Sequence, residues 1–105
     1  MRCVLWSLSI LSALLAGCPA RERLSPEADR GRKVYAANCI ACHNVDPTKP
    51  GPVGPALKGS SRALIEARVM LAAYPPGYTP KRDTKLMVPL PQLANKIDDL
   101  AAYLQ

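Results

Sequence analysis

Five consecutive residues, Cys39-Ile40-Ala41-Cys42-His43, limit what this chain can become more than any other stretch. Two thiols separated by two residues on a helix-like turn share one face, and the residue after them sets an imidazole beside it. The chain has one histidine, so His43 is the only imidazole on offer. A structural zinc site wants four ligands, and no second C-x-x-C or histidine pair exists to complete one. A thioredoxin-like redox pair should follow a strand, whereas a helical pattern precedes Cys39. A plain disulfide would leave His43 without a part. The pattern that uses all three side chains is C-x-x-C-H. In it, Cys39 and Cys42 add to the vinyl groups of one c-type haem and His43 supplies an imidazole to the iron.

The N-terminal residues speak to the compartment. Met1-Arg2 is a short basic start, and the apolar run over residues 4–16 is broken only by Ser7, Ser9 and Ser12. That run is short for a membrane span and has the shape of a signal segment. Leu15-Ala16-Gly17-Cys18 closes it with the pattern of a bacterial lipoprotein signal. The expectation is removal of residues 1–17, with Cys18 becoming the lipidated first residue. Ordinary cleavage after Ala20, leaving a soluble periplasmic protein, and an uncleaved anchor are the alternatives. All three carry the domain to the periplasmic side of a bacterial membrane, where haem is joined to thiols. Residues 18–24 would be the lipidated cysteine and a polar tether, its last six residues reaching about 20 Å when extended. The functional domain is expected over residues 25–105. Cysteine use closes on this scheme: Cys3 is discarded, Cys18 carries lipid, Cys39 and Cys42 carry haem, and no thiol is left for a disulfide.

A chain of this length makes one small domain, and so small a core is marginal without a staple. A covalent haem is such a staple. The formal net charge is +6. Lys49, Lys58, Lys81, Arg82 and Lys85 fall in and around the expected loops. They read either as an ordinary solvated surface or as a basic rim steering redox partners with acidic docking surfaces. Nucleic acid is not an expected partner, because the chain leaves the cytoplasm and carries no aromatic-basic motif.

Ser25-Pro26-Glu27 opens a helix with a capping serine, a proline at the first helical position and an acid in the first turn. It should run to about Asn38, with Ala28, Gly31, Tyr35 and Asn38 on one face. From residue 44 to 59 prolines alternate with glycines, an irregular but stiff loop. Ser60 or Ser61 caps a middle helix to about Ala73, with Leu64, Ala67, Met70 and Leu71 on one face, and Pro75-Pro76 ends it. A second loop covers residues 78–90. Pro91 then opens a last helix to about Leu104 with the stripe Leu93, Ile97, Leu100, Ala101 and Leu104. No strand pattern or internal repeat is visible, so the expected fold is all-α.

A haem iron that shuttles electrons without binding small molecules needs a sixth ligand besides His43. Beyond the signal there are two methionines. Met70 lies mid-helix on the apolar face and reads as core packing. Met87 lies in the proline-bounded loop before the last helix, where sulfur can be brought across the haem, and is the expected second ligand. An open or lysine-ligated iron is the alternative.

With these residues in hand, the chain from about Ser25 to Gln105 resembles a class I monohaem cytochrome c. Cys39, Cys42 and His43, then Gly54-Pro55-Ala56-Leu57-Lys58-Gly59, then Met87, then the last helix follow in the order of that family. The resemblance implies the class I fold, three main helices and irregular loops wrapped round one covalent haem. It also implies that the Pro55 carbonyl accepts from His43 Nδ1–H and that Leu57 packs on the haem. Gly31 and Tyr35 would cross the last helix near Leu100 and Tyr103, and Tyr74 or Tyr78 would be the aromatic near the propionates. Val88 stands between Met87 and Pro89, where the family often has proline next to the methionine. The implied function is a membrane-tethered periplasmic electron carrier with His43/Met87 ligation, and not an enzyme. A subunit bound permanently to a periplasmic dehydrogenase or oxidase, and an open-site haem enzyme or sensor, are the rival readings.

Overall fold

The computed structural model describes Gly17 and residues 22–105. The remaining expected signal residues and the expected lipid site Cys18 lie outside the described residues.

Helix α1, Pro26–Asn38, begins as its sequence dictates. Ser25 is the N-cap, and its Oγ accepts from the Ala28 backbone N–H at 3.1 Å. Glu27 and Asp29 place negative charge at the positive end of the helix. Ala28, Gly31 and Tyr35 are buried along one stripe, while Asn38, expected on the same face, is exposed. Asn38 instead turns its side-chain amide back to the Val34 carbonyl at 2.9 Å.

Helix α2, Arg62–Leu71, is capped by Ser61, whose Oγ accepts from Leu64 N–H. Ser60 is buried and donates its hydroxyl to the Leu57 carbonyl, so the choice between the two serines falls to Ser61. The buried face differs from the expected one. Ile65 and Val69 are buried, whereas Leu71 is 72% exposed. Two apolar stripes wind around this helix, and the packing of its neighbours selects the one through Ile65 and Val69. Ala72 ends α2 in a left-handed conformation, earlier than the Pro75-Pro76 pair requires.

The last helical segment has two parts. Residues Pro91–Lys96 form a 3₁₀ helix, and Ile97–Leu104 form helix α3. A single α-helix from Pro91 was the expectation. The tighter opening begins where Leu93 N–H bonds the Leu90 carbonyl at 3.0 Å. The apolar stripe survives the change of pitch: Leu93, Ile97, Leu100, Ala101 and Leu104 are all buried.

Helix α1 packs chiefly on α3, and α2 packs on the 3₁₀ segment and α3. The α1–α3 crossing is close because Gly31 has no side chain. A Cβ there would collide with the Asp99 carbonyl and stand 2.9 Å from Tyr103 Cβ. Tyr35 and Tyr103 pack beside this crossing with their rings tilted 55° to each other and centroids 5.6 Å apart. At the rim, Arg30 makes two hydrogen bonds to the Asp99 carboxylate. Two carbonyls of the last turn of α3 are met by the loop before α2, Leu104 by Gly59 N–H and Tyr103 by Lys58 Nζ. Gly59 does this at φ +85°, where a side chain would be strained. No strand occurs among the described residues, so the fold is all-α, as expected. Among the described residues no helix is long and apolar enough to cross a membrane.

Candidate functional site

The Cys39–His43 turn grows directly out of α1. Cys39 N–H bonds Tyr35 C=O and His43 N–H bonds Cys39 C=O, both at 2.9 Å, so helical pairing continues past the end of the helix. Tyr35 locks the junction. Its ring is 1% exposed and its hydroxyl donates to the Asn44 carbonyl just beyond His43. Burial above all, with Cys39, Tyr103 and Asp46 adding to it, pushes the Tyr35 phenol up to about 12. It therefore remains a donor at any ordinary pH.

The imidazole of His43 is buried and held from two directions. Its Nδ1 lies 2.8 Å from the Pro55 carbonyl. A carbonyl can only accept, so Nδ1 carries a proton, and in the neutral ring that tautomer leaves the lone pair on Nε2. The backbone at Gly54 lies flat against the ring. A Cβ there would strike it, 2.5 Å from Nδ1 and 2.8 Å from Nε2. Gly51 is pressed as closely on the backbone of Cys42 and His43. The Cys42 carbonyl draws this loop in by accepting from both Val53 N–H at 3.1 Å and Gly54 N–H at 2.8 Å.

Cys39, Cys42, His43, Pro55, Leu57 and Met87 all line one cavity with a largely apolar wall. Leu64, Ile65 and Val69 of α2 and Leu100 and Leu104 of α3 complete that wall. Met70 packs against the core but does not line the cavity. Tyr74 and Tyr78 also line it, stacked nearly parallel with centroids 5.5 Å apart. Arg68, Lys81 and Arg82 are its cationic lining residues, and no Asp or Glu is among them.

Does this lining fit a covalently held porphyrin? The two thiols stand on the cavity wall and are free. Burial first, and the neighbouring Cys42 second, push the Cys39 thiol up to about 11. A sulfur kept as S–H is a poor thiol for exchange, which counts against a redox role for the pair. Among the described residues no group of three or more His, Cys, Asp or Glu side chains is arranged to hold a metal ion alone. An imidazole with a free Nε2, a thioether in the same apolar space and cations without carboxylates suit a flat apolar disc bearing two acids. The residues fit the group.

Sequence reasoning missed what surrounds the ligands. The close approach of Gly51 and Gly54 had a signal, the alternation of glycine with proline, but its target on the ring could not be seen. The hydroxyl of Tyr35 reaching Asn44, and the Arg68–Tyr74–Tyr78 stack, had no local signal.

Comparison with known proteins agrees with this geometry. The family model described as cytochrome C oxidase, cbb3-type, subunit III matches residues 26–104. A cytochrome c-553-like protein of Synechocystis sp. is 32% identical over 85 residues, covering 78% of this chain and 70% of that protein. No solved structure matches. The chain therefore belongs to this cytochrome c family: it binds haem c covalently and is an electron carrier, not an enzyme.

Proposed function

We propose that one haem c is held by thioethers from Cys39 and Cys42, with His43 Nε2 and the Met87 sulfur as axial ligands, in a domain tethered to a bacterial membrane by lipid on Cys18. A haem held there would supply one-electron redox chemistry. The chain's own part begins with His43. The Pro55 carbonyl accepts a hydrogen bond from its Nδ1–H, which sets the tautomer and raises the basicity of Nε2. Gly54 permits the ring to lie where it does. Leu57, Ile65, Val69 and Leu100 keep water from the disc. A thioether from Met87 favours the reduced state relative to a second imidazole.

The observation that carries this reading is that Met87 shares a cavity wall with Cys39, Cys42 and His43 while Met70 does not. Replacing Met87 by Ala should abolish the sulfur-to-iron charge-transfer band and lower the reduction potential. The substitution Met70→Leu should leave both in place. An unchanged spectrum in Met87→Ala overturns the axial assignment.

Residues 1–17 are the proposed signal, residues 18–24 the lipidated cysteine and tether, and residues 25–105 the cytochrome c domain. Mass spectrometry of the exported protein should show a haem increment and a diacylglycerol increment together. A haem increment alone would establish the soluble periplasmic form if residues 1–20 are missing from the mass, and the uncleaved anchor if they are present. Exposed Lys49, Lys58 and Lys85 support partners with acidic docking surfaces. Electron-transfer rates to such partners should then fall steeply with salt. The family's description as an oxidase subunit supports a second reading, a fixed subunit rather than a free shuttle. Co-purification of a stoichiometric partner would decide for it.

A further inference from the structure

Residues 74–82 run from the end of α2 across to the histidine-side loop, and contacts at both ends tie them down. At the near end the Arg68 guanidinium sits over the Tyr74 ring, 4.2 Å from its centroid, and Tyr74 stacks on Tyr78. Arg68 is itself held by the Ala72 carbonyl, so cation and both rings form one fixed stack. Gly77 makes the turn between the rings at φ +78°, closed by Tyr78 N–H to Pro75 C=O. At the far end two adjacent cations reach the histidine-side loop. Lys81 Nζ donates to the Ala56 carbonyl at 2.9 Å, and both terminal nitrogens of Arg82 approach the Gly51 carbonyl at 3.3 Å. Those two carbonyls bracket Pro55, the acceptor for His43 Nδ1, and Gly54, which touches the ring.

We propose that residues 74–82 form a strap in which Lys81 and Arg82 are positioning residues for His43, holding the Gly51–Ala56 backbone so that Pro55 stays on Nδ1. The physical reason is geometric. Four of residues 51–56 are prolines or glycines, and the segment makes few backbone bonds: Gly51 N–H pairs with the Gly54 carbonyl, while Val53 and Gly54 hang from the single Cys42 carbonyl. Lys81 and Arg82 therefore add charged donors from outside to the two ends of a segment that its own backbone ties at few points. The strap also continues in sequence to Met87, so it joins the loop that orients the imidazole to the loop that carries the thioether. This inference rests on His43 and Met87 being the axial ligands.

The test uses the holoprotein and the variants Lys81→Met, Arg82→Met and the pair together, with Lys81→Arg as the conservative variant. The readouts are hydrogen exchange at the His43 ring N–H and the Val53 and Gly54 amides, and the reduction potential. Exchange at all three sites should speed up severalfold in the double variant, less in each single one, and return towards wild type in Lys81→Arg. The potential should move in the same order. Lys85→Met removes a charge from the same loop without touching residues 51–56, so it separates lost charge from lost positioning. It should leave exchange at the three sites unchanged. Exchange in the double variant equal to that in Lys85→Met, with the wild-type charge-transfer band intact, overturns the strap. Absence of that band from the wild type would instead overturn the axial reading on which the strap depends.

Discussion

The two loops that bound the cavity are built by different means. Residues 44–59, on the histidine side, are knitted by their own backbone and short side chains. Asn44 Oδ1 accepts from Asp46 N–H and Asp46 Oδ1 from Thr48 N–H, each closing a short turn. The Pro47 carbonyl accepts from both Leu57 and Lys58, and the Cys42 carbonyl from Val53 and Gly54. Residues 74–90, on the methionine side, make two backbone bonds beyond the helices, Tyr78 to Pro75 and Leu90 to Val69. Their order comes from prolines, from the tyrosine stack and from Lys81 and Arg82. Leu86 and Val88, on either side of Met87, are 68% and 66% exposed. An imidazole that must keep one tautomer and one ring plane needs a wall without slack. A thioether on a flexible stem tolerates a looser mount, because its own rotors take up the error.

If that contrast is real, the same small substitution should act differently on the two sides. The largest effect is expected at Gly54. A methyl group there must displace the imidazole, and Gly54→Ala should destabilise the holoprotein by about 1–3 kcal/mol, the usual range for overpacking, or prevent maturation altogether. Gly77→Ala meets no neighbouring atom and faces only the left-handed backbone, a cost of about 1 kcal/mol. Denaturant unfolding of the two variants measures the difference, and equal losses would erase the contrast.

A smaller effect sharpens it. Met87→Leu keeps the apolar volume, so the packing part of its folding cost should stay under about 1.5 kcal/mol, and any loss beyond that, read together with the vanished charge-transfer band, belongs to the ligand bond. Hydrogen exchange resolves the two loops without any substitution. Amides of Val53, Gly54 and Leu57 should be protected, and those of residues 83–88 should exchange early, through local opening.

The smallest expected effect lies away from both loops and serves as their control. Arg30, hydrogen-bonded to Asp99 across α1 and α3, holds that carboxyl below its usual value of 3.8. A depressed carboxyl contributes stability above the unfolded value, and that contribution is lost as pH falls through the folded value. Between neutral pH and about pH 5 the pair should therefore be silent. Asp99→Asn should blunt the loss of stability below pH 4 seen in denaturant midpoints, and leave exchange in both loops unaltered.

How much of this was legible beforehand differs by element. The start of α1 was readable because a cap is a local device: Ser25, Pro26 and the first-turn acids act within a few residues of one another. The stripe of the final segment was readable because Leu93, Ile97, Leu100, Ala101 and Leu104 are the only apolar set there with a helical period. The 3₁₀ opening was not, since both pitches satisfy the same stripe. The face of α2 was misread because two stripes fit its period equally, and only the position of the cavity and of α3 chooses Ile65 and Val69 over Leu71.

The chain by itself determined the chemistry that is carried by neighbours in sequence: two sulfurs and an imidazole within five residues, a serine before a proline, a methionine between prolines. Such features depend on bond lengths and local dihedrals, which residue order already specifies. Tertiary structure alone decided which glycine touches the His43 ring, which face of α2 is buried, and which cations reach the Gly51 and Ala56 carbonyls. Those contacts join residues far apart along the chain, and their existence depends on how helices cross at Gly31 and how two loops are drawn together, quantities no local pattern contains.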